Sequence, residues 1–269
     1  MPLAEIKPVH VRQYLTWRVD ETRRRLLEQN ELRVKAGRVP LAVQAEPGRV
    51  RANREKALLS HIWNYAPEKG FTDLPNPCQG IKGHRETGRD TYVDDETYLA
   101  VWQAADGPTR DALDLAYLTG QRPADVLKMR RADLREGAVW VVQGKTGQKL
   151  RIAIAGELAD VIDRIKARQH AATPLALVVN EKGRPLSASA LRGGVDRARD
   201  AAAANAAGAG ELVRRIRGFQ FRDLRAKAGT DKEEAGGMEA AKDQLGHSST
   251  AMTKRYVRHR KGKLVSPTR

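Results

Sequence analysis

The residues best suited to chemistry lie in Leu245–Val257, which reads Leu-Gly-His-Ser-Ser-Thr-Ala-Met-Thr-Lys-Arg-Tyr-Val. His247 precedes Tyr256 by nine residues, and Lys254, Arg255 and Arg258 bring positive charge beside the tyrosine. A phenol with a pKa near 10 is a poor nucleophile at neutral pH unless cations surround it. Gly246 reads as a helix stop, because glycine takes the left-handed conformation that ends helices. Ser248, Ser249 and Thr250 can then cap a following helix, predicted over 249–259. That places His247 at the junction and Tyr256 about two turns into the second helix. A half-buried aromatic and a turn histidine would show the same pattern, so the rest of the chain has to decide.

Further cations stand at element boundaries. Arg122 opens a predicted helix, with Asp125 three residues on and close enough to hold its guanidinium. Lys145 falls at the tip of a predicted hairpin, and Arg222 and Arg225 are three apart, on one helix face. Two arginines can clamp a phosphate and neutralise charge that builds on its oxygens. A tyrosine can attack the phosphorus, and a lysine can protonate the departing alkoxide. The sequence has no nucleotide-binding glycine loop, no carboxylate cluster for magnesium and no Cys/His cluster with metal-ligand spacing. Kinase, ATPase and two-metal nuclease readings therefore lose ground, and no cofactor is expected.

The elements that must position these residues follow from periodicity. Apolar residues Val11, Tyr14, Leu15, Val19, Leu26 and Leu27 recur at helical steps and predict a long helix over 8–35. Arg23-Arg24-Arg25 within it reads as a solvated face. A loop from Gly37 to Gly48 leads to a second helix over 50–69, with Leu58, Leu59, Ile62, Trp63 and Ala66 as its core stripe. Pro75-Asn76-Pro77 ends this small domain, and the glycine-bearing, basic stretch 78–90 reads as a linker that includes His84. The second domain opens at Asp94-Asp95-Glu96 with a helix to about Ala105. A helix from Pro108 to Thr119 and a third from Arg122-Pro123 follow. Strands Val139–Val142 and Leu150–Ile154 flank the hairpin loop 143–149. Helices over 157–170, 187–206, 219–227 and 234–245, with a short Val178-Val179 strand, complete the domain.

The chain has 269 residues, 41% hydrophobic, with 49 basic against 33 acidic residues, a net charge of +16 and a pI near 10.2. Both domains share the excess: residues 1–88 carry 16 basic and 10 acidic groups, the remainder 33 and 23. Such a field favours a polyanion, nucleic acid before membrane. Arg51, Arg54 and Lys56, at the start of the second helix, and Lys82 and Arg85 of the linker are candidate DNA contacts. No apolar run is long enough to span a bilayer and no signal-peptide core opens the chain. The single cysteine, Cys78, suits a reducing cytoplasm.

In this order, Thr-Gly-Gln-Arg-Pro-Ala-Asp-Val-Leu-Lys-Met (119–129), Gly-Lys-Thr-Gly (144–147), Phe-Arg-Asp-Leu-Arg (221–225), Leu-Gly-His-Ser (245–248) and Tyr256 resemble the tyrosine recombinases or phage integrases. The resemblance implies a mostly α fold with a small β-hairpin. A helical core-binding domain (1–77) and the basic linker (78–90) would precede a mixed, mainly helical catalytic domain with its tail (91–269). It also implies transesterification without metal or ATP. Tyr256 would attack a DNA phosphodiester to form a 3′-phosphotyrosine and free a 5′-hydroxyl. Arg122 and Arg225 would stabilise the pentacoordinate phosphorus, His247 would hydrogen-bond the same phosphate, Lys145 would be the general acid, and Asp125 matches the family's supporting acidic position. Arg222 departs from the pattern, since His or Lys usually stands there; a guanidinium stays charged and would serve as a fixed cation near the phosphate. The implied partners are double-stranded DNA at specific sites and three further copies in a tetramer, with room for accessory DNA-bending or directionality proteins. Many phage integrases carry an extra arm-binding domain, and nothing of that kind precedes residue 8; the small domain also reads as one helix short. The alternatives are a type IB topoisomerase using the same chemistry, and a DNA-binding regulator that keeps the fold without catalysis.

Overall fold

In the computed structural model, residues 3–37, 46–168 and 174–257 are described. The chain forms two compact units that meet between Arg89 and Asp90. Residues 38–45 of the predicted loop, the end of the helix predicted to 170, Arg258, and the residues beyond it lie outside the described residues.

In the first unit, Pro8 opens α1 (Pro8–Lys35), where its missing N–H costs nothing. It packs against α2 (Arg49–Tyr65) through Val11, Leu15 and Val19 on one side and Ala52 and Trp63 on the other. Arg18 and Tyr14 both bond Glu55, at 2.9 and 2.7 Å, which pins the two helices in register. Arg24 pairs with Glu21 and Glu28 in a solvated charge face, as the sequence reading expects. The predicted core stripe is only partly right. Trp63 and Ala66 are buried, but Leu58 and Ile62 are exposed, as are Tyr14 and Leu27 of α1. Periodicity reveals an apolar face; only a neighbouring element can bury it. Residues 66–69, read as the end of the second helix, form a 3-10 turn. The segment after Pro77 is fastened to this unit: Asn53 bonds the His84 backbone, and His84 Nε2 lies 3.1 Å from the Leu15 carbonyl.

The second unit is built around α4. First comes α3 (Asp95–Ala104), capped by Asp94, which accepts from the Thr97 N–H. Then α4 (Gly107–Thr119) runs through the core with Ala112, Leu113, Leu115 and Ala116 buried. Gly120 ends it at φ 68°, and α5 (Pro123–Val126) begins directly after Arg122. Strands β1 (Leu134–Arg135), β2 (Ala138–Val142) and β3 (Lys149–Ala153) form an antiparallel sheet in that order, with Val139 opposite Ile152 and Val142 opposite Lys149. Of the predicted Val178-Val179 strand, only Val179 makes a bridge, an isolated one with Pro185.

Helices α6 (Glu157–Ala167), α7 (Ala188–Asn205) and α8 (Gly210–Gly218) complete the shell. The sequence reading lacks α8, although Leu212, Val213 and Ile216 have helical spacing. The two helices predicted over 219–227 and 234–245 are present with other bounds: α9 (Leu224–Leu245) is two helices that meet at the non-helical Gly237 (φ 80°, ψ 173°), and a 3-10 turn (Phe221–Asp223) precedes it. That break returns the chain on itself, so that Leu245 reaches Gly229; a Cβ on Gly229 would lie 2.8 Å from Leu245 Cδ1. Among the described residues no helix is long and apolar enough to cross a membrane.

A buried lysine secures α9. Lys227 is fully enclosed, bonds Asp95 and Asp231, and lies under the rings of Tyr92 and Tyr117. Both tyrosine hydroxyls donate to Asp231 at 2.8 Å. Burial pulls the lysine's pKa down, but the two carboxylates more than offset it and leave it raised. Lys227→Met should destabilise the second unit by about 1–2 kcal/mol, because it leaves Asp231, which also accepts from Tyr92 and Tyr117, without its cation. Urea unfolding measures this as a lower midpoint at unchanged slope.

Candidate active site

Four chain segments converge on Arg225 in the first turn of α9. Its Nη1 donates to the Gly120 carbonyl at 2.7 Å, and its Nη2 donates to the Leu245 carbonyl at 2.6 Å and to His247 Nε2 at 3.0 Å. The side chain sits in a residue only 3% exposed, and no carboxylate hydrogen-bonds it among the described residues. Burial first, and the charge of Arg122 second, hold its pKa down at about 10, while the Tyr256 side chain opposes the shift. The group remains a cation at neutral pH.

His247 follows Gly246, whose φ of 64° ends α9 as the sequence predicts. It is 7% exposed, and burial, then Arg225, then Arg122, push its pKa down to about 4. The ring is therefore neutral at pH 7. A guanidinium N–H can only donate, so Nε2 is an acceptor and the ring proton sits on Nδ1. Nδ1 in turn donates to Thr253 Oγ1 at 3.1 Å. Thr253 is fully buried on α10 (Thr250–Lys254) and thus ties the histidine to the segment that carries Tyr256. α10 is shorter than predicted, and Tyr256 lies just past its end, its N–H bonded to the Thr253 carbonyl at 2.8 Å. Ser249 is the N-cap residue but makes no side-chain capping bond.

The half-buried Tyr256 ring packs against His247, with centroids 4.9 Å apart, and the Arg225 guanidinium carbon lies 5.3 Å from its centroid. A cation remote in sequence, Arg225, thus lies over the ring, while Arg258 lies outside the described residues. Arg122 donates to Gln143 Oε1 at 3.1 Å and stands 3.8 Å from Asp125 Oδ2. Asp125 also accepts from the Gly144 N–H at 2.8 Å, joining α5 to the hairpin. Lys145 is exposed at the hairpin tip, beside Thr146, which bonds Gln143.

The structure groups Arg122, Asp125, Arg225, His247 and Tyr256. Arg222 stands apart: it is exposed in the 3-10 turn before α9 and lines a groove with Pro123, Ala124 and Phe221. Asp231, six residues before the break in α9, is instead bonded by Lys227, Tyr92 and Tyr117, and Asp223 accepts from the Gln220 N–H. In the first unit Arg51 pairs with Glu55 and Lys56 bonds the Ile81 carbonyl, whereas Arg54, Lys82 and Arg85 are exposed. Sequence reasoning gives no role to Gln121, Gln143 and Thr253, uncharged residues within or beside the motifs. It also missed a basic groove on the outer sheet face, where Arg135 and Arg151 flank Trp140 at 4.2 and 5.4 Å beside Lys128, Arg130 and Lys149.

The family model described as the phage integrase family matches residues 92–263, the stretch that holds every group of this site. The chain belongs to the phage integrase family. It is 27% identical to the integrase of Enterobacteria phage 434 and 29% identical to that of Escherichia phage lambda, each over 211 residues. Both alignments take in 75% of this chain but 56% of the relative, so the chain spans little more than half the length of these curated relatives. A structure of a lambda integrase dimer bound to a COC′ core site superposes with a TM-score of 0.74 at 21% identity, covering 99% of this chain and 85% of that one. The Tn1549 transposon integrase with transposon right end DNA gives 0.67 at 15% identity, covering 95% and 82%. These integrase structures share the fold: mostly helical, with one small sheet.

The neutral His247 makes a prediction for stability. In the folded chain it charges only near pH 4, whereas an unfolded imidazole charges near 6.5. The unfolded state takes up the proton first, so this residue's contribution falls as pH drops from 6.5 toward 4. His247→Gln should lose less stability than the wild type between those values, read by urea unfolding at each pH. Equal losses would mean that the buried ring is not neutral.

Proposed function

We propose that this integrase chain cleaves and rejoins double-stranded DNA at specific sites through a 3′-phosphotyrosine. The observation that carries the reading is the contact of Tyr256 with both His247 and Arg225, inside a site whose fixed charges are mostly cationic. A phosphodiester entering there would take up the free donors of Arg122 and Arg225 and meet the phenol. Arginine donors aimed at the nonbridging oxygens stabilise the charge that grows in the pentacoordinate state.

The Tyr256 oxygen forms the new bond to phosphorus as the bond to the 5′-oxygen breaks. Lys145 gives its proton to the departing oxygen, which balances the proton lost by the phenol. One phosphodiester replaces another, so the freed 5′-hydroxyl, or that of a partner strand, can reverse the step without an external energy source. His247 has a simple way to assist. Once Arg225 turns its Nη2 toward phosphate, Thr253 can donate to Nδ1, and the ring proton moves to Nε2, facing the phosphate.

The first unit acts as the core-binding domain, with Arg54, Lys82 and Arg85 as exposed phosphate contacts. Arg222 is a fixed outer cation for the same DNA. Lambda integrase has been solved as a dimer on a core site and as a tetramer on a Holliday junction. A tetramer on two DNA sites is accordingly the working assembly proposed for this chain.

A nicked suicide duplex, which lets the cleaved end diffuse away, tests the proposal. A covalent adduct excludes a pure DNA-binding regulator, and strand exchange between two sites excludes simple topoisomerase action. Tyr256→Phe should abolish the adduct while leaving DNA affinity intact. Lys145→Ala should cleave normal DNA poorly and a 5′-bridging phosphorothiolate well, because a sulfur leaving group needs no proton. Equal impairment on both substrates would remove Lys145 from the role of general acid.

A further inference from the structure

Gln143 is 1% exposed, immediately after β2, and every hydrogen-bonding position of its amide is used. Its Oε1 accepts from Arg122 Nη1 at 3.1 Å and from Thr146 Oγ1 at 2.9 Å. Its Nε2 donates to Gln121 Oε1 at 2.8 Å and to the Leu245 carbonyl at 2.9 Å. Two donors and two acceptor sites are all that a carboxamide has. The direction of the amide is forced, because a backbone carbonyl can only accept; the NH2 must face Leu245 and the oxygen must face Arg122.

The neighbouring Gln121 is fixed by the same logic. Its Nε2 donates to the Thr119 carbonyl at 2.9 Å and to the Gln244 carbonyl at 3.2 Å, which turns its oxygen toward Gln143. The Leu245 carbonyl that holds Gln143 is also the one that holds Arg225 Nη2. Space is closed as well: a Cβ on Gly246 would come within 2.8 Å of Gln143 Nε2. One side chain therefore links Arg122, the carbonyl that fixes Arg225, and the residue next to Lys145.

We propose that Gln143 is a positioning residue that sets Arg122, Arg225 and the Lys145 hairpin in one frame before DNA arrives. The proposal rests on the recombinase reading and deepens it. Carboxamide chemistry suits the task better than the two nearest alternatives. A glutamate would set a carboxylate oxygen against the Leu245 and Gln121 oxygens and would offset the Arg122 charge that phosphate needs. A leucine would fill the space and orient nothing. Gln143 touches no reacting atom; it acts through Arg122 and Lys145.

The test measures single-turnover cleavage of the nicked suicide duplex, DNA affinity and thermal midpoint for the wild type, Gln143→Leu and Thr146→Val. Gln143→Leu should slow cleavage about a hundredfold, the cost of reacting groups displaced by about 1 Å, with DNA affinity retained. The 5′-bridging phosphorothiolate should restore only part of that loss, because the Arg122 share does not depend on a proton. Thr146→Val cuts only the arm to the hairpin, so its smaller loss should vanish on the sulfur substrate. Wild-type cleavage by Gln143→Leu overturns the proposal, as does a loss matched by equal losses of affinity and thermal midpoint. Should Gln143→Leu not fold, Thr146→Val decides: a deficit erased by sulfur supports the frame, and no deficit overturns it. A wild type that forms no adduct removes the recombinase reading itself, an outcome distinct from these.

Discussion

Arg225 is taken out of water, and among the described residues no carboxylate hydrogen-bonds it. Two backbone carbonyls, a neutral imidazole and an aromatic ring surround it, which satisfies its N–H groups in part, while Asp125 and Tyr256 offset its charge less than burial and Arg122 oppose it. One donor, Nε, has no partner among the described residues. A buried cation of this kind is costly, and burial accordingly depresses its pKa. The site tolerates it because the missing counter-charge is one a ligand can bring. The rest of the arrangement follows from that vacancy of charge. His247 must be neutral, since a second buried cation at 3.0 Å would be prohibitive, and Asp125 is kept at the Arg122 end.

The carbonyls that hold Arg225 explain why the surrounding glycines are where they are. Gly120 stops α4 so that its carbonyl is exposed to the guanidinium, and a Cβ there would lie 3.2 Å from Leu245 Cδ2. Gly246 stops α9 one residue after the Leu245 carbonyl and leaves room for Gln143. Helix ends normally spend unpaired carbonyls on water or capping bonds. Here two of them serve as the cradle of a charged side chain, so helix termination and site construction are the same event.

The residues that carry charge or a distinctive spacing were legible from sequence: Arg122 with Asp125, the Phe-Arg-Asp-Leu-Arg motif, and His247 with Tyr256. Each stands at an element boundary marked by glycine or proline, and boundaries are written in local sequence. Gln121, Gln143 and Thr253 were not legible, because an uncharged amide or hydroxyl gives no sign of its partners until the chain is folded. For the same reason sequence points only to neighbouring cations beside Tyr256, whereas Arg225, on another helix, lies over its ring. In the first unit the periodic pattern of α1 and α2 gave the helices correctly, but Leu58 and Ile62 show that periodicity does not say what an apolar face will meet. The break in α9 falls at Gly237, inside the helix predicted over 234–245, because a glycine within a helical pattern does not show in sequence that it takes a positive φ.

The lysine buried under Tyr92 and Tyr117 has a consequence for how the chain can be divided. Lys227 lies two residues from Arg225 on α9, and its partner Asp95 and its neighbour Tyr92 lie within six residues of the start of the second unit. The beginning of that unit is thus stitched to the helix at its heart, far along the sequence. A protease that cuts among residues 85–89 would release a fragment with this stitch whole. Trimming past Tyr92 and Asp95 would strip the cover from a buried ammonium and loosen the turn that presents Arg225. The edge of the second unit is therefore set by an ion pair, a few residues inside the place where the backbone first looks free to be cut.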